Sequence, residues 1–114
     1  MDVKSLPKIE LHCHLDGSIR PLSVMEIAKK DGIELSTYDL DEIKAQMIAP
    51  TNCKDLGEYL TRFSLPGLVM QSKENLIRVT SELMEDAARE NVKYIEIRFA
   101  PQLHTHRGLS LIHI

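Results

Sequence analysis

An α/β fold is predicted by three features of this sequence. Two short segments, one within residues 7–17 and the other over residues 92–99, alternate side chains between two faces as strands do. Between them, residues 73–89 form the clearest amphipathic stretch in the chain, with Leu76, Ile77, Thr80, Leu83, Met84, Ala87 and Ala88 recurring at helical spacing. The remaining intervening residues carry helix start and stop signals, so the order is strand, helices, strand. That connection is far longer than the about 30 residues of a minimal βαβ unit. The excess lies at residues 33–71.

In the first strand, Ile9, Leu11 and Cys13 share one face, His12 and His14 take the other, and Gly17 ends the run in a turn. Pro21 then suits the first position of a helix running to about Lys30, because its missing N–H has no partner there in any case. Leu22, Met25, Ile27 and Ala28 supply the apolar face, Lys29 and Lys30 favour the last turn, and Gly32 closes it. Asp39 with Glu42 has the form of a capping box for a second helix, with Ile43, Met47 and Ile48 inward and Pro50 as its stop. Residues 52–63 read as a third helix, on which Leu56, Tyr59, Leu60 and Phe63 share a face as core residues usually do. Pro66-Gly67 marks a break. Ser72 caps the long helix, and Asn91, tolerant of left-handed backbone, ends it. The second strand puts Lys93, Ile95, Ile97 and Phe99 on one face and Val92, Tyr94, Glu96 and Arg98 on the other. Glu96 and Arg98 are expected as an interior ion-pair network, since an unpaired buried charge is costly.

The chemistry concentrates in Pro7-Lys8-Ile9-Glu10-Leu11-His12-Cys13-His14-Leu15-Asp16-Gly17. One intervening residue puts the His12 and His14 imidazoles on the same side of a strand, where they can clamp a divalent ion such as zinc. Two ligands do not complete a zinc site, so partly solvated histidines at a strand end are an alternative reading. Alternation turns Cys13 away from them. A second pair, His104 and His106, follows Pro101 in a polar segment with Gly108, which suggests a loop. These two are assigned to solvent or to contacts at the mouth of a site.

Residues 7–18 resemble the opening of the adenosine deaminase family, and Val92-Lys93-Tyr94-Ile95-Glu96-Ile97-Arg98-Phe99-Ala100-Pro101 resembles that family's second barrel strand. The likeness extends to Ser110. It implies the amino-terminal portion of a (β/α)8 barrel, a fold that takes about 250 residues, and therefore a fragment in which the 33–71 insertion lies over the catalytic face as a lid. Residues 1–110 form this portion. Leu111 to Ile114 depart from the pattern and are expected to be a truncation or a vector-derived scar. The resemblance further implies zinc as cofactor, with His12 and His14 as two ligands. His14 and Asp16 also contact substrate, Asp16 accepting a hydrogen bond from the ribose 5′-hydroxyl. Leu56, Tyr59 and Phe63 match a segment that makes apolar contacts to the purine. The implied reaction is hydrolytic deamination of adenosine and 2′-deoxyadenosine. A third histidine, an aspartate ligand, a proton-donating glutamate and a hydroxide-orienting histidine would come from later strands, so no catalytic residue lies in this sequence and the isolated chain is expected to be inactive. Leu15-Asp16-Gly17 favours a nucleoside enzyme, because related adenine or aminofutalosine deaminases read Leu-Glu-Gly. Those relatives, and a non-catalytic metal-binding fragment, are the alternatives.

Other classes find little support. The net charge is −3, with acids and bases interspersed, so no basic stripe suggests nucleic acid. No run approaches the roughly 20 apolar residues of a membrane span, and the first residues lack a secretory core, which makes a cytoplasmic location the expectation. Cys13 and Cys53 lack Cys-x-x-Cys spacing and are expected to be reduced. Oligomeric state is open.

Overall fold

In the computed structural model, which describes residues 1–114, strands β1 (Lys8–His14) and β2 (Val92–Arg98) pair in parallel. The register runs from Lys8 opposite Val92 to His14 opposite Arg98, with irregularities after Lys8 and between Glu10 and Cys13. Five α-helices connect them: α1 (Pro21–Asp31), α2 (Leu40–Met47), α3 (Leu56–Leu60), α4 (Ser64–Val69) and α5 (Lys73–Arg89). A parallel pair needs such a crossover.

Local chemistry explains most boundaries. Gly32 ends α1 at φ 66°, its N–H bonded to the Ala28 carbonyl. The Asp39 carboxylate accepts from the Asp41 and Glu42 amides at 3.0 Å, but Glu42 does not reciprocate, because Thr37 Oγ1 takes the Asp39 N–H at 3.1 Å. Ser72 Oγ accepts from the Asn75 amide, and Asn91 follows α5 at φ 60°, the left-handed region that asparagine tolerates. The expected helix over residues 52–63 is instead α3, starting at Leu56 behind an Asp55 cap, and a 3₁₀ turn over Thr61–Phe63. Pro66 and Gly67 do not break the chain there. They lie inside α4, where Pro66 occupies the first turn and its missing N–H leaves no hydrogen bond unmade.

The core is Leu15 and Ile19 with Val24, Ile27 and Ala28 of α1, Leu35, Ile43 of α2, Val69 and Met70, and Val79 and Leu83 of α5. Cys13, Ile95 and Ile97 pack against it from the sheet, as alternation predicts. Leu22, expected inside, is 45% exposed. The buried stripe of α1 runs one step around, through Ser23, Val24, Ile27 and Ala28. Ser23 is drawn in by its hydrogen bond to Glu82 Oε1 at 2.9 Å. Ile48, at the extended end of α2, is also exposed.

Arg20, just ahead of α1, reaches across to α5. Its Nε and Nη2 meet Asp86 at 3.0 and 2.7 Å, and further bonds go to Glu82 at 3.2 Å and Glu85 at 3.1 Å. Arg78 joins Glu82 to Glu26 in the same network. These contacts fasten the turn after β1 to the long helix. The Glu96–Arg98 pair, by contrast, does not form: both side chains are exposed, and Glu96 instead accepts from the Tyr94 hydroxyl at 2.9 Å, which pushes the phenol pKa up. The open face of a two-stranded sheet leaves water to solvate them.

Only 17 of 114 residues are buried, and the radius of gyration is 15.0 Å, above the about 13 Å of a compact 100-residue domain. Ile9 and Leu11 of β1 are correspondingly 68% and 58% exposed. No helix is long and apolar enough to cross a membrane.

Candidate active site

Strand alternation places the two imidazoles of β1 side by side. Nε2 of His12 and Nε2 of His14 lie 3.0 Å apart, with ring centroids 5.0 Å apart and both side chains exposed. Glu10 steadies this part of the strand by accepting the His12 amide at 2.9 Å. Cys13 faces the other way, its sulfur 3.3 Å from Ser18 Oγ, and both cysteines are free thiols. No three His, Cys, Asp or Glu side chains converge as a metal-binding group.

Directly after β1 the chain turns, with the Ser18 amide on the Leu15 carbonyl and the Ser18 hydroxyl on the His14 carbonyl. Asp16, in this turn, lines a cavity of about 310 Å³ together with Met47, Tyr59, Arg62, Phe63 and Pro66. Its Oδ1 is buried without a hydrogen-bond partner. Tyr59 and Phe63 meet edge to face, centroids 5.5 Å apart. Gly17 allows this approach, since a Cβ there would come within 3.1 Å of the Phe63 ring.

The structure thus brings Asp16, Tyr59 and Phe63 to one cavity. Leu56 does not join them: the helix begins there and tightens to 3₁₀ after Leu60, leaving Leu56 68% exposed. Neither His12 nor His14 lines this cavity.

Three residues gain roles that pattern reading did not assign. Arg62 ties the cavity wall to α2 through the Ala45 carbonyl at 2.7 Å, and its Nε is buried without a partner. The signal was a charge at the edge of an apolar helical face. Gln71, almost fully buried, donates to the Gly67 and Leu103 carbonyls at 2.7 and 2.8 Å and accepts the His106 amide at 2.9 Å. It thereby joins the helical insertion to the segment after β2. His104 lies in a 3₁₀ turn (Pro101–His104) and is only 2% exposed, against the expectation of solvent or mouth contacts. Pro101, which favours a helical first turn, was the available sign of that order. His106 remains exposed.

The model of the family described as "Adenosine deaminase" matches residues 7–114. The chain belongs to the adenosine deaminase family. It is 56% identical over 110 residues to the adenosine deaminase of Shewanella halifaxensis (strain HAW-EB4), covering 96% of this chain and 33% of that protein. The adenosine deaminase of Clostridium perfringens (strain 13 / Type A) is 54% identical over 110 residues, with the same coverage. Among solved structures, the Arabidopsis N6-mAMP deaminase MAPDA superposes with a TM-score of 0.73 at 32% identity, covering 97% of this chain and 32% of that one. Arabidopsis ADAL complexed with IMP gives 0.72 at 32% identity, with 97% and 32% covered. The chain therefore spans about a third of the length of the adenosine deaminases it matches, and its fold is that portion of the family's (β/α)8 barrel, two neighbouring parallel strands and the helices between them.

Proposed function

We propose that this chain supplies the first two metal ligands and part of the nucleoside pocket of a zinc-dependent adenosine deaminase. Such an enzyme converts adenosine and 2′-deoxyadenosine to inosine and 2′-deoxyinosine with release of ammonia, in cytoplasmic purine salvage. The observation that carries the reading is the convergence of His12 and His14, set within a chain of this family.

The donor set fits zinc. Two imidazole nitrogens bound at about 2.0–2.1 Å in a tetrahedral site stand roughly 3.3 Å apart, close to the 3.0 Å between the Nε2 atoms. When bound, zinc lowers the pKa of a water towards about 7 and so supplies a nucleophile at neutral pH. Asp16 presents its carboxylate to an otherwise mostly apolar cavity, suited to accept a hydrogen bond from the ribose 5′-hydroxyl. Its negative charge disfavours a 5′-phosphate in the same place, which argues for nucleoside over nucleotide. Tyr59 and Phe63 give the purine an aromatic wall and keep water from it.

Two imidazoles alone hold zinc weakly, and the acid and remaining ligands that the reaction needs would come from later strands. The chain by itself is therefore expected to be inactive. Incubating the purified 114 residues with zinc and adenosine should yield no inosine above a His12→Ala control, and turnover above that control would overturn this expectation. The positive test is a completed enzyme in which this chain replaces the matching third of the Shewanella halifaxensis protein. It should deaminate adenosine and deoxyadenosine in preference to adenine, and His12→Ala should remove both its zinc and its activity. A His12→Ala enzyme retaining one zinc per subunit and full turnover would sink the reading.

A further inference from the structure

His104 is nearly inaccessible to water, yet neither Nδ1 nor Nε2 has a hydrogen-bond partner. Asp16 Oδ1 is likewise buried and unpaired. Buried polar groups are almost always paired, so such atoms call for an explanation. The fold brings them to one region. The Leu15 amide bonds to the Arg98 carbonyl at 2.9 Å, which aligns the ends of β1 and β2, and Asp16 and Phe99 follow those two residues directly. The His104 ring packs on Phe99 with centroids 5.9 Å apart. Gln71 grips the backbone on either side of it, at Leu103 and His106, so the imidazole is held inward. Loss of solvent lowers the His104 pKa, opposed by the negative charge of Asp16 and by the Met70 backbone, which approaches the ring outside hydrogen-bond geometry, while His106 lowers it further. The neutral ring keeps one N–H to donate.

We propose that His104 is a positioning residue for Asp16: its ring N–H holds Oδ1 through one bridging water and leaves the other carboxylate oxygen for the substrate hydroxyl. This rests on the reading of Asp16 given above, and deepens it by assigning the group that orients the carboxylate.

The test uses the completed enzyme with adenosine and with 5′-deoxyadenosine, which lacks the hydroxyl. His104→Leu should lower kcat/KM for adenosine about tenfold, the worth of one well-placed hydrogen bond, chiefly through KM. The value for 5′-deoxyadenosine should stay within about twofold. His104→Gln, which keeps a donor, should recover most of the loss, and the Asp16→Asn, His104→Leu double variant should be no worse than Asp16→Asn. Equal losses on both nucleosides, or losses that add in the double variant, would overturn the proposal. If His104→Leu does not accumulate folded, His104→Gln decides alone: near-parental adenosine kinetics support the role, and a nonselective loss overturns it. Asp16→Asn separates the two levels. If that variant itself does not discriminate between the nucleosides, the reading of Asp16 falls and the proposal with it. If it discriminates while His104→Leu does not, only the role of His104 is lost.

Discussion

Ile43 is the only fully buried residue of α2, the helix whose carboxyl end contributes Met47 to the cavity wall. Replacing it with alanine removes three carbons from a site with no exposure. At about 0.8 kcal/mol per buried methylene the transfer loss is about 2.4 kcal/mol. The void left after partial collapse adds a further increment, for a total of about 3 kcal/mol. Because α2 packs chiefly on α1, α4 and the 3₁₀ turn Thr61–Phe63, most of this should appear as local opening. Amide hydrogen exchange read by mass spectrometry should quicken by roughly 100-fold over residues 40–48, since each 1.4 kcal/mol is a factor of ten. It should change much less in α5. Ile48→Ala provides the control. That side chain is 62% exposed, so its loss should cost no more than about 0.5 kcal/mol. The reasoning fails if the two substitutions cost the same, or if α5 exchanges as fast as α2 in Ile43→Ala.

The Arg20 hydrogen bonds, followed by the charges of Arg20 and Arg89, hold the Asp86 pKa below the ordinary carboxylate value against the opposing effect of burial. The stability this confers is present above the unfolded-state pKa of about 3.9 and is lost as pH falls through the lower folded-state value. Acid titration of unfolding midpoints should therefore show a step below about pH 4 that Arg20→Gln flattens; an unchanged profile would exclude this clamp as its source. At Asn91, where φ is 60° and Nδ2 bonds the Ser5 carbonyl at 2.6 Å, alanine should destabilise by about 1–2 kcal/mol. Asn91→Gly should cost less than Asn91→Ala, and denaturant midpoints in the reverse order would refute the backbone argument.

Local signals carried far in this sequence. Pro21, Gly32, Asp39, Ser72 and Asn91 each act through backbone groups within a few residues, so their effects can be read without tertiary knowledge, and they sit where the boundaries of α1, α2 and α5 fall. The facing imidazoles of β1 follow from alternation alone. Failures came where a distant partner decides. Arg20 finds its carboxylates 62–66 residues away, and Ser23 is buried in place of Leu22 because Glu82 awaits it. His104 is enclosed because Gln71 draws its backbone inward from another helix pair. Pro66 misled for a different reason: a helix-breaking residue is harmless in a first turn, and nothing nearby announced that a turn began at Ser64.

The single amide of Gln71 has a mechanical consequence. It is pinned on one side to Gly67 and on the other to both Leu103 and His106. An outward swing of the helical cover must either snap the latter two bonds or drag the stretch beyond β2 along with it. Displacement of α4 and displacement of the stretch beyond β2 are in this way mechanically linked through one side chain.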